Sequence, residues 1–364
     1  VLFSAPVAPL IRLSVVLRAG RAMTQTRPEP ITRFLSGRPA PSESEPLPPG
    51  FDRAAIEDLL RYGDTTPVYD KKGRDTLWET CLYPSSERRQ IHRALVRIYE
   101  MLRVKGDMAL VRHLVTDRVD VCSYGNTQPF RVRILNTLNE NFDYFYVKKA
   151  DASRIYGLEL EQLLSPNRID FLYDDETLIE EHISGIPGDV FCKFYLKDDH
   201  LDEVRLAKEF VKFNERCFAR LLGDMHSGNW VVDMTPDFDE TVYRIRAIDF
   251  DQQSYEGRYR VYMPQYYREN NPIIELGIKC MTPETMRQYQ QEERTLMVHR
   301  AHSERQRLED LLTVMKKDRI STPDRIAELR EGLGYHYQDA GFAKCASMGA
   351  LVEYSLARLE RDVH

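Results

Sequence analysis

The sequence predicts an α+β chain, with a small antiparallel sheet ahead of a mainly helical remainder. Three observations carry this reading. Phe130-Arg-Val-Arg-Ile-Leu alternates apolar and polar residues, and Asp143-Tyr-Phe-Tyr-Val-Lys-Lys is aromatic and β-branched, so both read as strands. Asn136 to Asn141 supplies turn residues between them. The last third of the chain carries helical patterning over roughly Pro283 to Lys316, Pro323 to Glu331 and Phe342 to Leu359.

Taken in order, residues 1–49 read as a disordered leader, or as a non-native or targeting segment. Arg12, Arg18 and Arg21 stand among apolar residues with no acid before Glu29, which resembles a transit peptide; a true start at Met23 explains it equally well. The apolar run from Leu13 to Leu17 is too short for a secretory core, and Thr24 to Gly50 is rich in Pro, Ser, Arg and Glu. Residues 50–115 are expected to form a helical extension. Ile56, Leu59 and Leu60 lie on one side of its first helix, and Ile91, Leu95, Ile98 and Leu102 recur in a stronger one that runs from about Ser86 to Gly106. Residues 116–183 hold the two strands, a helix from about Ala152 to Leu164 stopped by Ser165-Pro166, and two further strands, Ile169 to Tyr173 and Thr177 to His182, around Asp174-Asp175. Residues 184–364 are expected to be helical, interrupted by one hairpin of Trp230–Val232 with Tyr243–Ile248.

Composition narrows the function classes. Hydrophobic residues make up 42% and charged residues 30%, with a net charge of −6 and no basic block, so a nucleic-acid partner is not expected. No apolar stretch approaches the ~20 residues that span a bilayer, so no membrane association is expected. Six cysteines at 81, 122, 192, 217, 280 and 345 form no C-x-x-C pair and read as reduced, buried thiols, which suggests a cytoplasmic location.

The stretch with the most chemistry is Leu222-Gly-Asp224-Met-His226-Ser-Gly-Asn229-Trp-Val-Val-Asp, followed by Ala247-Ile-Asp249-Phe-Asp251. Phosphoryl transfer needs a carboxylate to orient and deprotonate the attacking hydroxyl, and oxygen ligands that hold Mg²⁺ against the phosphates. An Asp with an Asn five positions later, on a loop before a short strand, offers both from one turn. A second Asp at the end of the neighbouring strand supplies the principal metal ligand. Asp224, Asn229 and Asp249 have that order.

GDMHSGN followed by AIDFD resembles the aminoglycoside phosphotransferase-like branch of the protein-kinase-like superfamily, where G-D-x-H-x-x-N and I-D-[FW]-[DE] recur. The resemblance covers roughly residues 120 to 255. It implies a two-lobed kinase-like fold with residues 116–183 as N-lobe and 184–364 as C-lobe, and an enzyme that uses ATP and Mg²⁺. The acceptor it implies is a hydroxyl, most naturally on a small molecule. By the same resemblance Asp224 is the base, Asn229 and Asp249 hold Mg²⁺, and Asp251 is an auxiliary ligand or a loop anchor. His226 is a structural hydrogen-bonding residue, since Mg²⁺ prefers oxygen. Lys148 takes the phosphate-binding lysine's place, with Lys149 as competitor, and Glu159 is its helix partner, with Glu161 as the alternative. The backbone near Glu181 to Ile183 would meet an adenine ring. Gly125, within Ser123-Tyr-Gly-Asn-Thr127, would sit in the loop over the phosphates.

The sequence also departs from the family. Leu222 stands where His is common, the Asn229–Asp249 segment is long, there is no G-x-G-x-x-G loop, and Asp249-Phe-Asp251 replaces D-F-G. Two other classes therefore stay open: a nucleotide-binding pseudokinase acting as a regulatory module, and an enzyme that modifies a protein partner. Tyr255 to Tyr267 would lie at the acceptor entrance or form a partly buried aromatic cluster.

Overall fold

The computed structural model describes residues 56–104, 112–123, 128–174, 176–238 and 240–363. The leader expected over 1–49 and the loop residue Gly125 lie outside them. The chain divides into two compact units. One runs up to Ala150 and includes Ile169–His182; the other takes Asp151–Arg168 and Ile183–His364.

Among its described residues the first unit carries a seven-stranded sheet, the helices α1 (Ile56–Leu59) and α2 (Ser85–Tyr99), and a π-helical turn over Glu100–Val104. Its strands are β1 (Asp64–Tyr69), β2 (Asp75–Leu82), β3 (Leu114–Val121), β4 (Phe130–Asn136), β5 (Phe142–Lys149), β6 (Phe171–Asp174) and β7 (Thr177–Glu181). Their order is β1-β2-β3-β4-β5-β7-β6, with every neighbouring pair antiparallel. This corrects the helical extension expected over 50–115: Asp64 to Leu82 is a hairpin that widens the sheet. β1 lies at the sheet edge, where a proline such as Pro67 is tolerated, and none of its side chains is buried, so its alternation is weak. The turn is set by Asp70, whose Oδ1 accepts from the N–H groups of Lys72 and Arg74 at 2.8 Å each, and by Gly73 at φ +72°.

The sheet has two unlike faces. Val119, Val121, Phe130, Val132, Ile134, Phe145, Val147 and Ile179 pack with Ile91, Ala94, Leu95 and Ile98 of α2 into one apolar core. Because strand side chains alternate, the register places Asp120, Arg131, Tyr146, Lys148 and Glu180 on the opposite face. There the buried Asp120 accepts from Arg131 Nη2 at 2.7 Å, and the Arg131 guanidinium lies 4.4 Å from the centre of the Trp78 ring.

The second unit is mainly helical. Its helices are α3 (Ala152–Leu164), α4 (Gly188–Phe194), α5 (Glu203–Arg220), α6 (Asn271–Cys280), α7 (Pro283–Ser303), α8 (Arg305–Lys317), α9 (Pro323–Tyr337) and α10 (Met348–Val363). A small sheet, β8 (Ile186–Pro187), β9 (Trp230–Asp237) and β10 (Glu240–Ala247), has the order β10-β9-β8. The single helix expected over Pro283–Lys316 is two, with Glu304 at φ −114° and ψ 29° between them; no Gly or Pro marks that break. The division at residue 116 also shifts. The sheet-bearing unit reaches back to include α1, β1 and β2, while α3 groups with the helices, where its almost wholly buried side chains pack. All six cysteines are unpaired. Among the described residues no helix is long and apolar enough to cross a membrane.

Candidate active site

The Asp224 loop follows α5 directly. Leu221 adopts φ +59° and ends the helix in the left-handed conformation, and Leu222 donates its N–H to Cys217 O at 2.9 Å. Three more bonds tie this corner to the segment after Asp249. Gly223 N–H donates to Gln252 O (3.2 Å), Ser254 N–H to Leu221 O (2.8 Å) and Gln253 Nε2 to Arg220 O (2.5 Å). Leu222 itself is fully buried.

Asp224 has φ +59°, a conformation Asp tolerates better than most residues. Its N–H donates to Val261 O at 3.1 Å, and its carbonyl accepts from His226 N–H at 2.9 Å and from Asn229 Nδ2 at 2.8 Å. Only the nitrogen of an amide can donate to a carbonyl, so the Asn229 oxygen is the end available to a cation. His226 Nδ1 accepts from Gly228 N–H at 3.0 Å, a structural bond within the loop. Burial pushes the Asp224 carboxyl up to about 6; His226 opposes this, and Asp249, Glu269 and Glu256 add to it.

Asp249 and Asp251 follow the end of β10. Asp249 Oδ1 accepts from Phe250 N–H at 2.8 Å and, more weakly, from Asp251 N–H at 3.4 Å. Between the two aspartates Phe250 is buried against α3, and a Cβ added at Gly157 would stand 2.9 Å from Phe250 Cβ. The N-cap of α3, Asp151, accepts from Arg154 N–H at 2.8 Å and pairs with the Arg154 guanidinium at 3.0 Å. That buried guanidinium also lies 3.8 Å from Asp249 and 3.5 Å from Asp251. Burial and Asp249 raise the Asp251 carboxyl, tempered by Arg154 and by the 35% of its side chain that solvent reaches.

Asp224, Asn229, Asp249 and Asp251 thus gather in one unit, where the charge of Asp249 raises both the Asp224 and the Asp251 carboxyls. Among the described residues no three of His, Cys, Asp and Glu form a ready-made metal cage. Mg²⁺ asks for oxygen donors. That ion is commonly held by one or two carboxylates and completed by substrate phosphates, and Asn229, Asp249 and Asp251 are the oxygen-bearing residues of this unit that would be asked to hold it.

The expected nucleotide residues divide between the units. In the sheet-bearing unit Lys148 Nζ lies 2.6 Å from Glu180 Oε2 with 12% of its side chain exposed; Lys149 is 61% exposed and reaches Glu176 at 3.4 Å. The two lysines are not equivalent. Glu181 pairs with Arg103, and its N–H donates to Asp170 O at 3.0 Å, while His182 N–H donates to Tyr144 O at 3.3 Å. Of the three N–H groups at 181–183, two are therefore used inside the sheet-bearing unit. In the helical unit Ile183 is buried, Glu159 pairs with Arg307 at 3.5 Å, and Glu161 pairs with Arg220.

The tyrosine run is largely internal. Tyr255 and Tyr262 are buried, Tyr262 Oη donates to Glu256 O at 2.6 Å, and Tyr267 Oη donates to Val261 O at 2.9 Å; Tyr266 is exposed. Two residues at these sites had no assignment from the sequence. Arg154 is the one cation of α3, a pattern that can be noticed once its neighbours are known. Glu180 was hidden inside a strand read only for its backbone. No protein-family model matches the sequence, and a search of curated proteins found no match.

Proposed function

We propose that this chain is an ATP- and Mg²⁺-dependent phosphotransferase of kinase-like fold, which moves the γ-phosphoryl group to a hydroxyl of a small-molecule acceptor. One observation carries the reading: the Asp224 carboxyl, raised to about 6 on a loop held by the Asn229 amide, stands in the field of Asp249. A base of that affinity is ionised at neutral pH yet still able to take a proton.

Asp224 would orient the acceptor hydroxyl and receive its proton. Asn229 Oδ1 and Asp249, assisted by Asp251, would hold Mg²⁺, which neutralises phosphate charge when bound. Arg154 would keep the two aspartates in place from α3. Lys148 would meet the α- and β-phosphates. An adenine ring would use Ile183 N–H and nearby carbonyls, because the Glu181 and His182 N–H groups are already engaged. The element order supports the kinase-like part of the reading: an antiparallel sheet, a helix inserted between β5 and β6, then helices with the Asp224 and Asp249 loops among them.

An ATP-consumption screen tests it, run with sugars, amino alcohols, aminoglycosides and generic proteins as acceptors. Turnover with a small hydroxyl compound, lost in Asp224→Asn, is the expected result. Turnover only with proteins would move the acceptor class. No turnover with any acceptor, and no nucleotide binding, would overturn the proposal.

A further inference from the structure

Lys148 and Glu180 lie on adjacent antiparallel strands. The register sets Tyr146 opposite Glu180 and Lys148 opposite Leu178, so the two charged side chains are diagonal neighbours on one face. Their charged atoms are 2.6 Å apart, and both side chains are largely buried. The second carboxylate oxygen, Glu180 Oε1, is buried and accepts no hydrogen bond among the described residues, so the bond to Lys148 is what fixes this carboxylate. A lysine ammonium sits on a flexible four-carbon stem, and a charge-assisted bond of this length decides where it rests. An ammonium has three donors; one on Glu180 leaves two for other oxygens. The helix glutamates have cations of their own, Glu159 with Arg307 and Glu161 with Arg220.

We propose that Glu180 is the positioning residue for Lys148, a carboxylate on the neighbouring strand that holds the ammonium ready for a nucleotide's phosphates. The inference rests on the phosphotransferase reading above and adds to it a residue outside the helix. A plain structural pair would act on the fold alone, since replacing both members of a buried pair by apolar residues is often neutral. A positioning residue must instead act on nucleotide affinity, and only through Lys148.

The test is calorimetric titration of the full chain with ATP and Mg²⁺ for the wild type, Lys148→Met, Glu180→Ala, Glu180→Gln and the doubles that combine each Glu180 change with Lys148→Met. Lys148→Met and Glu180→Ala should each weaken binding about tenfold, a loss typical of one coupled pair. Glu180→Gln keeps an acceptor and should restore most of the affinity. On the Lys148→Met background either Glu180 change should add less than about twofold. Wild-type-like binding by Glu180→Ala, or a loss that adds in full to that of Lys148→Met, overturns the inference while leaving the phosphotransferase reading intact. A wild type that binds no nucleotide at millimolar concentration overturns that reading itself. Should Glu180→Ala not fold, Glu180→Leu, which fills the space but offers no acceptor, takes its place alone and on Lys148→Met: affinity lost equally on both backgrounds, or on neither, sinks the inference.

Discussion

Asp224→Asn should make the protein more stable and less active at once, by amounts that pH controls. Folding raises the Asp224 carboxyl from an ordinary 3.8 to about 6, chiefly by burial. The folded state then binds a proton the unfolded state releases, so Asp224 weakens stability as pH climbs from about 4 through about 6. Two units at 1.36 kcal/mol each give a cost of about 3 kcal/mol, complete above about pH 7 and roughly half as large at pH 5. An asparagine is the neutral isostere and carries no such cost. The substitution should therefore raise the melting temperature at pH 7.5 by several degrees, and by about half as much at pH 5. Comparing the two pH values cancels whatever the amide itself contributes. The same change should reduce phosphoryl transfer ~10² to 10⁴-fold with nucleotide affinity nearly unchanged. Wild-type kcat/KM should climb with pH below about 6 and level off above it. Paired thermal melts and rate profiles check both halves. A shift in melting temperature that is equal at the two pH values refutes the electrostatic account, and turnover that survives the substitution refutes Asp224 as base.

Three further outcomes follow from the same geometry. Asp249→Asn should lower turnover by ~10² to 10³-fold or more and abolish the Mg²⁺-dependent part of the thermal stabilisation by ATP, read in a thermal-shift titration with and without the metal. Gly157→Ala would set a methyl 2.9 Å from Phe250 Cβ and 3.2 Å from Gln253 Cβ, so it should cost ~1–3 kcal/mol in chemical denaturation; an unchanged midpoint would show that α3 and the Asp249 loop are not close-packed. Lys149→Ala should leave nucleotide affinity within about twofold of wild type in the same titration that sees Lys148→Met weaken it, because only Lys148 is held off solvent by a buried partner.

Much of the architecture was legible because its signals were local. The helix expected over Ala152 to Leu164 is found there, since Asp151 can cap it and Ser165-Pro166 stops it. Strands β4, β5 and β7 declared themselves through alternating or β-branched residues. The β1–β2 hairpin did not, because an edge strand with a proline and polar side chains looks like a loop until its partner is known. The join between α7 and α8 was silent for the opposite reason: nothing at Ser303-Glu304 forbids a continuous helix, and packing decides. In the candidate site, the spacing of Asp224, Asn229 and Asp249 singled out three residues that lie in one unit. Arg154 and Glu180 were not singled out, because each matters through a neighbour far away in sequence: Asp249 for Arg154, and Lys148 for Glu180.

Leu222 was the strongest sequence argument for a pseudokinase, and the loop's own bonding weakens it. If the resemblance holds, a histidine at that position would support the loop; Leu222 is fully buried instead. The work is taken over by backbone and amide. Leu222 N–H closes on Cys217, Gly223 N–H on Gln252, and Ser254 N–H on Leu221, while the fully buried Gln253 donates to Arg220 O and lies in a bridge opposite Leu222. A loop so held can keep Asp224 in its left-handed conformation without the missing imidazole. Reintroducing histidine should then harm rather than help. Leu222→His would place a polar ring in a fully buried position, a change that costs ~1–3 kcal/mol when no partner is supplied. If the loop were instead impaired for want of that side chain, Leu222→His would raise turnover with little loss of stability. A denaturation midpoint measured beside the ATP-consumption rate separates the two, and a faster, equally stable variant would return the pseudokinase reading to first place.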